Sequence, residues 1–320
     1  MSRWTLLTAA VLGGALLGAC GDPTSAPERA SLASERFSDW LPPVNLGAQV
    51  NSPFVENAPE LSKDGLSLYF GSNRPGGQGL QDLYVSQRSS LDAPWGTPVN
   101  LSALINSPFT DVGPHLSRDG HLLFFNSSRP GGSGSVDIWV SRRNNIHDDF
   151  AWEQPVNLGF PPNSARFDGA ASIWGPEFYF WRGTPDPAGV VAPTDGDIYM
   201  SEMTGHTFRE PTLVTELSSA AHEQRPSIRF DGREIFLSSS RPVVCLPGGA
   251  CPEDIWASVR QGNGQSWEEP VNLGPVVNSN SRDTQTALSE DGTMLFFLSD
   301  RLGGSGNLDI YVTTRTLKGE

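Results

Sequence analysis

Trp40-Leu-Pro-Pro-Val-Asn-Leu46 returns as Trp95-Gly-Thr-Pro-Val-Asn-Leu101, Trp152-Glu-Gln-Pro-Val-Asn-Leu158 and Trp267-Glu-Glu-Pro-Val-Asn-Leu273, with a degenerate copy at Phe208-Arg-Glu-Pro-Thr-Leu-Val214. Four of these copies close a segment of three other short strands, whereas the first stands alone. At the far end, Asp309-Ile-Tyr-Val312 reads as a third strand with no fourth behind it. The N-terminal copy therefore completes the last unit. The chain closes on itself and leaves no sheet edge free to pair with another molecule.

Working inward, the unit itself repeats. Ala58-Pro-Glu-Leu-Ser-Lys-Asp-Gly65, Gly113-Pro-His-Leu-Ser-Arg-Asp-Gly120 and Thr286-Ala-Leu-Ser-Glu-Asp-Gly292 are copies of one strand and turn. The turn glycine recurs at Gly65, Gly120, Gly175, Gly232 and Gly292, at intervals of 55, 55, 57 and 60 residues. Periods of this size mark propellers or solenoids. Within one unit a strand near Asn57–Ser62 is followed by the Asp-Gly turn, by strands at Leu66–Gly71 and Asp82–Gln87, and by the Trp95–Leu101 motif. Runs such as Leu122-Leu-Phe-Phe125 suit a sheet covered on both faces. The expected fold is all-β, a five-bladed β-propeller of four-stranded blades with blade three the most divergent.

Composition agrees: 34 glycines and 26 prolines among 320 residues, without low-complexity runs, fit many short strands joined by turns. The formal charge of −14 argues against nucleic acid and against anionic membrane surfaces as partners. Residues 1–19 read as an export signal, with Arg3 ahead of an apolar stretch too short for a span. Leu17-Gly18-Ala19-Cys20 resembles a bacterial lipoprotein box, which implies lipidation at Cys20 and a membrane contact through that anchor only. Residues 20–38 read as a flexible tether and 39–320 as the propeller. Cys245 and Cys251, in a short Pro- and Gly-rich loop, are expected to form a disulfide in an oxidising compartment.

The stretch Ser128-Arg-Pro-Gly-Gly-Ser-Gly, continuing to Asp137-Ile-Trp-Val140, resembles the WD40-like (PD40) repeats of the bacterial Tol-system translocation proteins. The resemblance covers about Trp40 to Arg315. It implies a propeller of the cell envelope and carries little about activity. The separate α/β domain of the Tol protein has no counterpart here.

Three polar positions recur on one face. Glu56, Asp111, Asp168, Glu223 and Asp283 precede the inner strands. Arg74, Arg129, Arg182, Arg241 and Arg301 end the second strands. Asp82, Asp137, Asp197, Asp254 and Asp309 open the third. Arginine and the strand-three aspartate face each other across a hairpin and are expected to pair as a structural strap. The first acidic set is expected to ring the channel mouth. Ten carboxylates against five arginines leave that face about five negative charges in excess. That makes the first set a candidate ligand or cation site, with Ca²⁺ in the central channel as the cation to consider. The competing reading has each carboxylate bonded to backbone N–H groups, locking the ring. Asp168 is the most altered member. The Gly-Gly-x-Gly segments open strands and not helices, so they are hairpin loops rather than phosphate cradles. No Ser-His-Asp grouping emerges. The irregular loops Gly183–Gly196 and Cys245–Cys251 are expected to mark a partner-binding edge on blades three and four.

The leading expectation is thus a non-catalytic envelope lipoprotein whose propeller binds an envelope protein or a cell-wall glycan. A glycoside hydrolase or lyase using channel carboxylates is the alternative, since such chemistry needs two carboxylates in unlike environments. A structural spacer without a ligand site is the third.

Overall fold

The computed structural model of the chain describes residues 36–185, 193–205, 207–242 and 252–319. The expected signal, the lipidated Cys20, the Cys245–Cys251 disulfide and most of the two irregular loops lie outside these residues.

A short strand, β1 (Val44–Asn45), precedes five antiparallel sheets. Blade one is β2 (Glu56–Leu61), β3 (Ser67–Ser72), β4 (Asp82–Gln87) and β5 (Val99–Asn100). Blade two is β6 (Asp111–Leu116), β7 (Leu122–Ser127), β8 (Asp137–Arg142) and β9 (Val156–Asn157). Blade three is β10 (Phe167–Trp174), β11 (Glu177–Gly183) and β12 (Asp197–Thr204), with its outer strand split into β13 (Thr207–Phe208) and β14 (Thr212–Leu213). Blade four is β15 (Glu223–Ile228), β16 (Glu234–Ser239), β17 (Asp254–Val259) and β18 (Val271–Asn272). Blade five is β19 (Asp283–Leu288), β20 (Met294–Ser299) and β21 (Asp309–Thr314). Its fourth strand is β1, paired with β21 through Val44↔Val312 and Asn45↔Tyr311. The expected closure is the one that forms.

The second strands are buried almost throughout, because each sheet is covered on both faces by its neighbours. The apolar core divides into five clusters, each spanning two adjacent blades. Tyr69 and Leu83 of blade one pack with Leu123 and Phe125 of blade two, and Phe70 packs with Phe296 and Leu298 of blade five across the closure. The remaining three clusters fill the other three interfaces. Stability thus resides between blades, and an open ring would expose one whole cluster.

The inner strands β2, β6, β10, β15 and β19 share a further feature. The residue two after the inner-strand carboxylate, Ala58, Gly113, Ala170, Arg225 or Gln285, has a positive φ between 49° and 69°. Each inner ladder shifts register there. A bulge of this kind re-aims the side chains that follow it, and here they line the channel.

The propeller begins earlier than expected. Phe37, placed by sequence in the tether, bridges Leu317 and is 2% exposed, with the Arg315 guanidinium 3.9 Å from its ring centroid. Replacing Phe37 with alanine should lower unfolding stability by about 3–5 kcal/mol. A urea titration showing no change would place this residue outside the cooperative unit.

Candidate functional site

The two repeated carboxylate sets do different work from that expected. The arginines pair with the first set: Arg74 with Glu56 at 2.8 Å, Arg129 with Asp111 at 2.6 Å, Arg182 with Asp168 at 2.5 Å, Arg241 with Glu223 at 3.1 Å and Arg301 with Asp283 at 2.5 Å. Each of these carboxylates is wholly buried and also accepts bonds from a serine four residues earlier, as Asp111 does from the Ser107 hydroxyl and N–H. Each arginine lies over the aromatic ring of strand three: Tyr84, Trp139, Tyr199, Trp256 or Tyr311. The first set therefore does not line the channel mouth as an excess of negative charge. It faces sideways into guanidinium groups, and Ca²⁺ would have to displace an arginine to reach it.

The strand-three aspartates of blades one, two, four and five, expected to hold those arginines, instead accept from the asparagine of the Pro-Val-Asn-Leu motif, and Asp82, Asp137 and Asp309 also from loop N–H groups. Asp137 takes the Gly134 N–H at 3.0 Å and Asn157 Nδ2 at 2.9 Å; Asp82, Asp254 and Asp309 take Asn100, Asn272 and Asn45. Gly132 is glycine because a Cβ there would collide with the Asp137 carboxylate. In blade three Leu213 occupies the asparagine position. There burial and the neighbouring Glu223 raise the pKa of Asp197. Burial likewise pushes the carboxyls of Glu56 and Asp168 up, against the opposing pull of their serine and arginine partners. Asp168 is therefore not alone in its environment.

A second arginine ring was not anticipated. Arg88, Arg143, Arg260 and Arg315 follow the third strands, and each guanidinium covers the tryptophan of the fourth-strand motif, at 4.3–4.4 Å from the ring centroid. Arg260 pairs with Glu177 of blade three and Arg315 with Glu234 of blade four, so these straps cross between blades. Arg143 pairs with the buried Asp149. Burial would raise that carboxyl, but bonds from Ser67, Tyr69, Arg143 and Gln87 hold it below the usual range. Its contribution to stability is present above the ordinary carboxylate pKa of about 4 and is lost as pH falls through the depressed value. The motif was visible as an arginine in register after each third strand, broken only by Met203.

With the repeated residues committed to the frame, the channel is left to positions where the blades differ. The residues four after the inner-strand carboxylates are Glu60, His115, Ser172, Ser227 and Ala287. Glu60 Oε1 accepts the Leu116 N–H at 3.0 Å and stands 3.2 Å from His115 Nδ1. His115 Nε2 accepts the Ile173 N–H at 3.2 Å, which assigns the ring proton to Nδ1 and directs it at Glu60. Both side chains border a cavity of about 490 Å³ where the inner strands end, together with Arg118, Trp174, Phe230 and Glu290. Arg118 of the blade-two turn reaches Glu290 of the blade-five turn at 3.1 Å. At the opposite mouth a second cavity of about 120 Å³ ends on Arg225. Glu60 and His115 escaped the sequence reading because the flanking proline and leucine made Pro59-Glu-Leu61 and Pro114-His-Leu116 look like one structural motif. Variation inside a fixed frame was the available signal. Among the described residues, no group of three or more His, Cys, Asp or Glu is arranged to hold a metal ion.

No protein-family model and no curated sequence matches this chain. Solved structures do. The catalytic domain of a GH62 α-L-arabinofuranosidase from Coprinopsis cinerea superposes with a TM-score of 0.54 at 13% identity, over 87% of this chain and 98% of that one. The endo-arabinase of Bacteroides thetaiotaomicron gives 0.53 at 16%, over 85% and 98%. A putative TolB from Agrobacterium tumefaciens gives 0.47 at 15%, over 87% and 91%. The shared property is the fold. These findings overturn the expected order of functions: five structures that superpose above 0.5 over most of both chains are named as arabinofuranosidases, an endo-arabinase or a GH62 hydrolase, and the non-catalytic scaffold is withdrawn as the leading reading.

The exchanged roles of the two acidic sets are testable. Asp111→Asn leaves Arg129 buried without its counter-charge and should lower stability by about 3–5 kcal/mol. Asp137→Asn, which faces amides, should lower it by about 1–3 kcal/mol. The reverse order in urea titrations would restore the strap first expected.

Proposed function

We propose that this chain hydrolyses glycosidic bonds, with its substrate in the 490 Å³ cavity at the end of the central channel. The observation that carries the reading is the Glu60–His115 pair on the cavity wall, at an inner-strand position where the blades differ in chemistry. Glycoside hydrolysis uses two carboxyl groups, one protonating the departing oxygen and the other acting as base or nucleophile. Glu60, which accepts N–H bonds from Leu116 and His115 that favour its carboxylate, is assigned the charged role of base or nucleophile. Glu290, on the facing turn beside the exposed Arg118, is assigned the proton-carrying role. Trp174 and Phe230 give the cavity apolar walls against which a sugar face can pack. The volume lies within the range of about 300–1,000 Å³ usual for ligand pockets.

The solved structures of the same fold favour a polysaccharide substrate, since their names place them on arabinose-containing glycans. An exported protein anchored at Cys20, as the first twenty residues suggest, would meet such a substrate as a cell-wall or environmental glycan.

The purified protein should release reducing sugar from at least one of arabinan, arabinoxylan and bacterial cell-wall glycan. Glu60→Gln and Glu290→Gln should each lower kcat by about 100-fold or more, with thermal stability unchanged. Release from none of these, or release undiminished in both variants, would remove the hydrolase reading from this cavity.

A further inference from the structure

We propose that Arg225 is the floor of a second binding site, at the channel mouth opposite Glu60 and His115, that takes the carboxylate of an acidic sugar.

Blade four breaks the repeat here. The residue two after the inner-strand carboxylate is Ala58, Gly113, Ala170 or Gln285 in the other blades and carries no charge. Arg225 is 8% exposed and crosses the channel from β15 toward blades one and two. Its Nη2 donates to Asn57 Oδ1 at 3.3 Å, and a Cβ at Gly113 would stand 3.0 Å from its Nη1. The glycine opposite thus leaves the space that the guanidinium fills. Among the described residues Nε has no hydrogen-bond partner, and no carboxylate forms an ion pair with this arginine. All five strap arginines, by contrast, have one. A buried cation left in this state is unfavourable unless an anion joins it.

The cavity above it supplies the rest of such a site. Ser135 Oγ and Trp181 Nε1, buried on its wall, also lack partners, so three unused donors border one space. No described residue lining it is acidic. A site rich in donors, with one guanidinium, suits a singly charged acceptor that can engage the planar fork with both oxygens. A phosphate dianion would want a second cation, and a neutral hydroxyl would leave the charge uncompensated. The cavity of about 120 Å³ is smaller than the roughly 300 Å³ at which pockets enclose a whole ligand, so the ligand enters end-on. The buried Phe167–Trp181 ring pair, centroids 4.5 Å apart, lines the cavity as an apolar surface for the carbon atoms next to the carboxylate. Burial pushes the pKa of Arg225 down to about 9, and Glu60 opposes that shift. Binding should therefore fade above that pH.

Arg225 also meets Glu60 and His115 across a narrow space inside the channel, but the site is tested by binding and the hydrolase reading by sugar release, so either can fail without the other. Calorimetric titration of the full chain with galacturonate, galactose, acetate and inorganic phosphate tests it. Galacturonate should bind at least about tenfold more tightly than galactose, and weakly or not at all above pH 10. Arg225→Met should abolish the difference. Asn57→Asp places a carboxylate against Nη2; it should raise the melting temperature and also abolish galacturonate binding, which guards against a variant that merely misfolds. Acetate binding that is lost in both variants would support the carboxylate pocket. Equal affinity for galactose, tighter binding of phosphate, or binding unaffected by both variants would overturn the proposal.

Discussion

At the start of each inner strand stands a carboxylate buried out of reach of water, and the blade is organised around making that tolerable. Burial of an isolated carboxylate carries a penalty of several kcal/mol, which falls only when a counter-charge and hydrogen bonds replace the lost water. The counter-charge comes from the end of the second strand, where a guanidinium can reach the carboxylate and still bond a backbone carbonyl of the incoming loop, as Arg129 does with Ile105. The serine four residues earlier fixes that loop onto the inner strand. The aromatic residue of strand three then lies under the guanidinium. One ion pair thereby ties together three strands and the connection between blades. Repeated five times, it holds the channel end of the propeller, while the second arginine ring clamps neighbouring blades at the other end.

Much of this architecture was legible in the sequence because it is periodic. Trp40–Leu46 could only be the missing strand of the last blade, and β1 pairs with β21 as that implied. What periodicity could not tell was which of two carboxylates an arginine chooses. Glu56 and Asp82 both end up at the same end of blade one. The choice rests on N–H groups of the Gly-Gly loop and on Asn100, which satisfy Asp82 first. Those donors are invisible as charge in a sequence. The second ring was missed for a different reason: Arg88, Arg143, Arg260 and Arg315 sit one residue beyond their strands, where an exposed cation is unremarkable unless its tryptophan is known to lie beneath it.

The same contrast explains why the candidate site was misplaced. The repeated acids are residues that the frame consumes. The positions open to other chemistry are two and four residues after each inner-strand carboxylate, where the bulge aims side chains into the channel. A residue there is not wholly free. Glu60, His115 and Ser172 each accept a backbone N–H from the next blade, at 3.0, 3.2 and 3.1 Å. That duty needs an acceptor and does not specify which one, so a glutamate, an imidazole and a hydroxyl serve the ring equally well. Chemistry could diversify at this position without loosening the closure, and any group placed there is held rigidly by the bond that closes the ring. Pre-orientation of a reacting group is thus a by-product of blade packing. The propeller supplies at its axis what a catalytic or binding group requires, a fixed direction and a dry wall, and it does so through the contacts that hold its blades together.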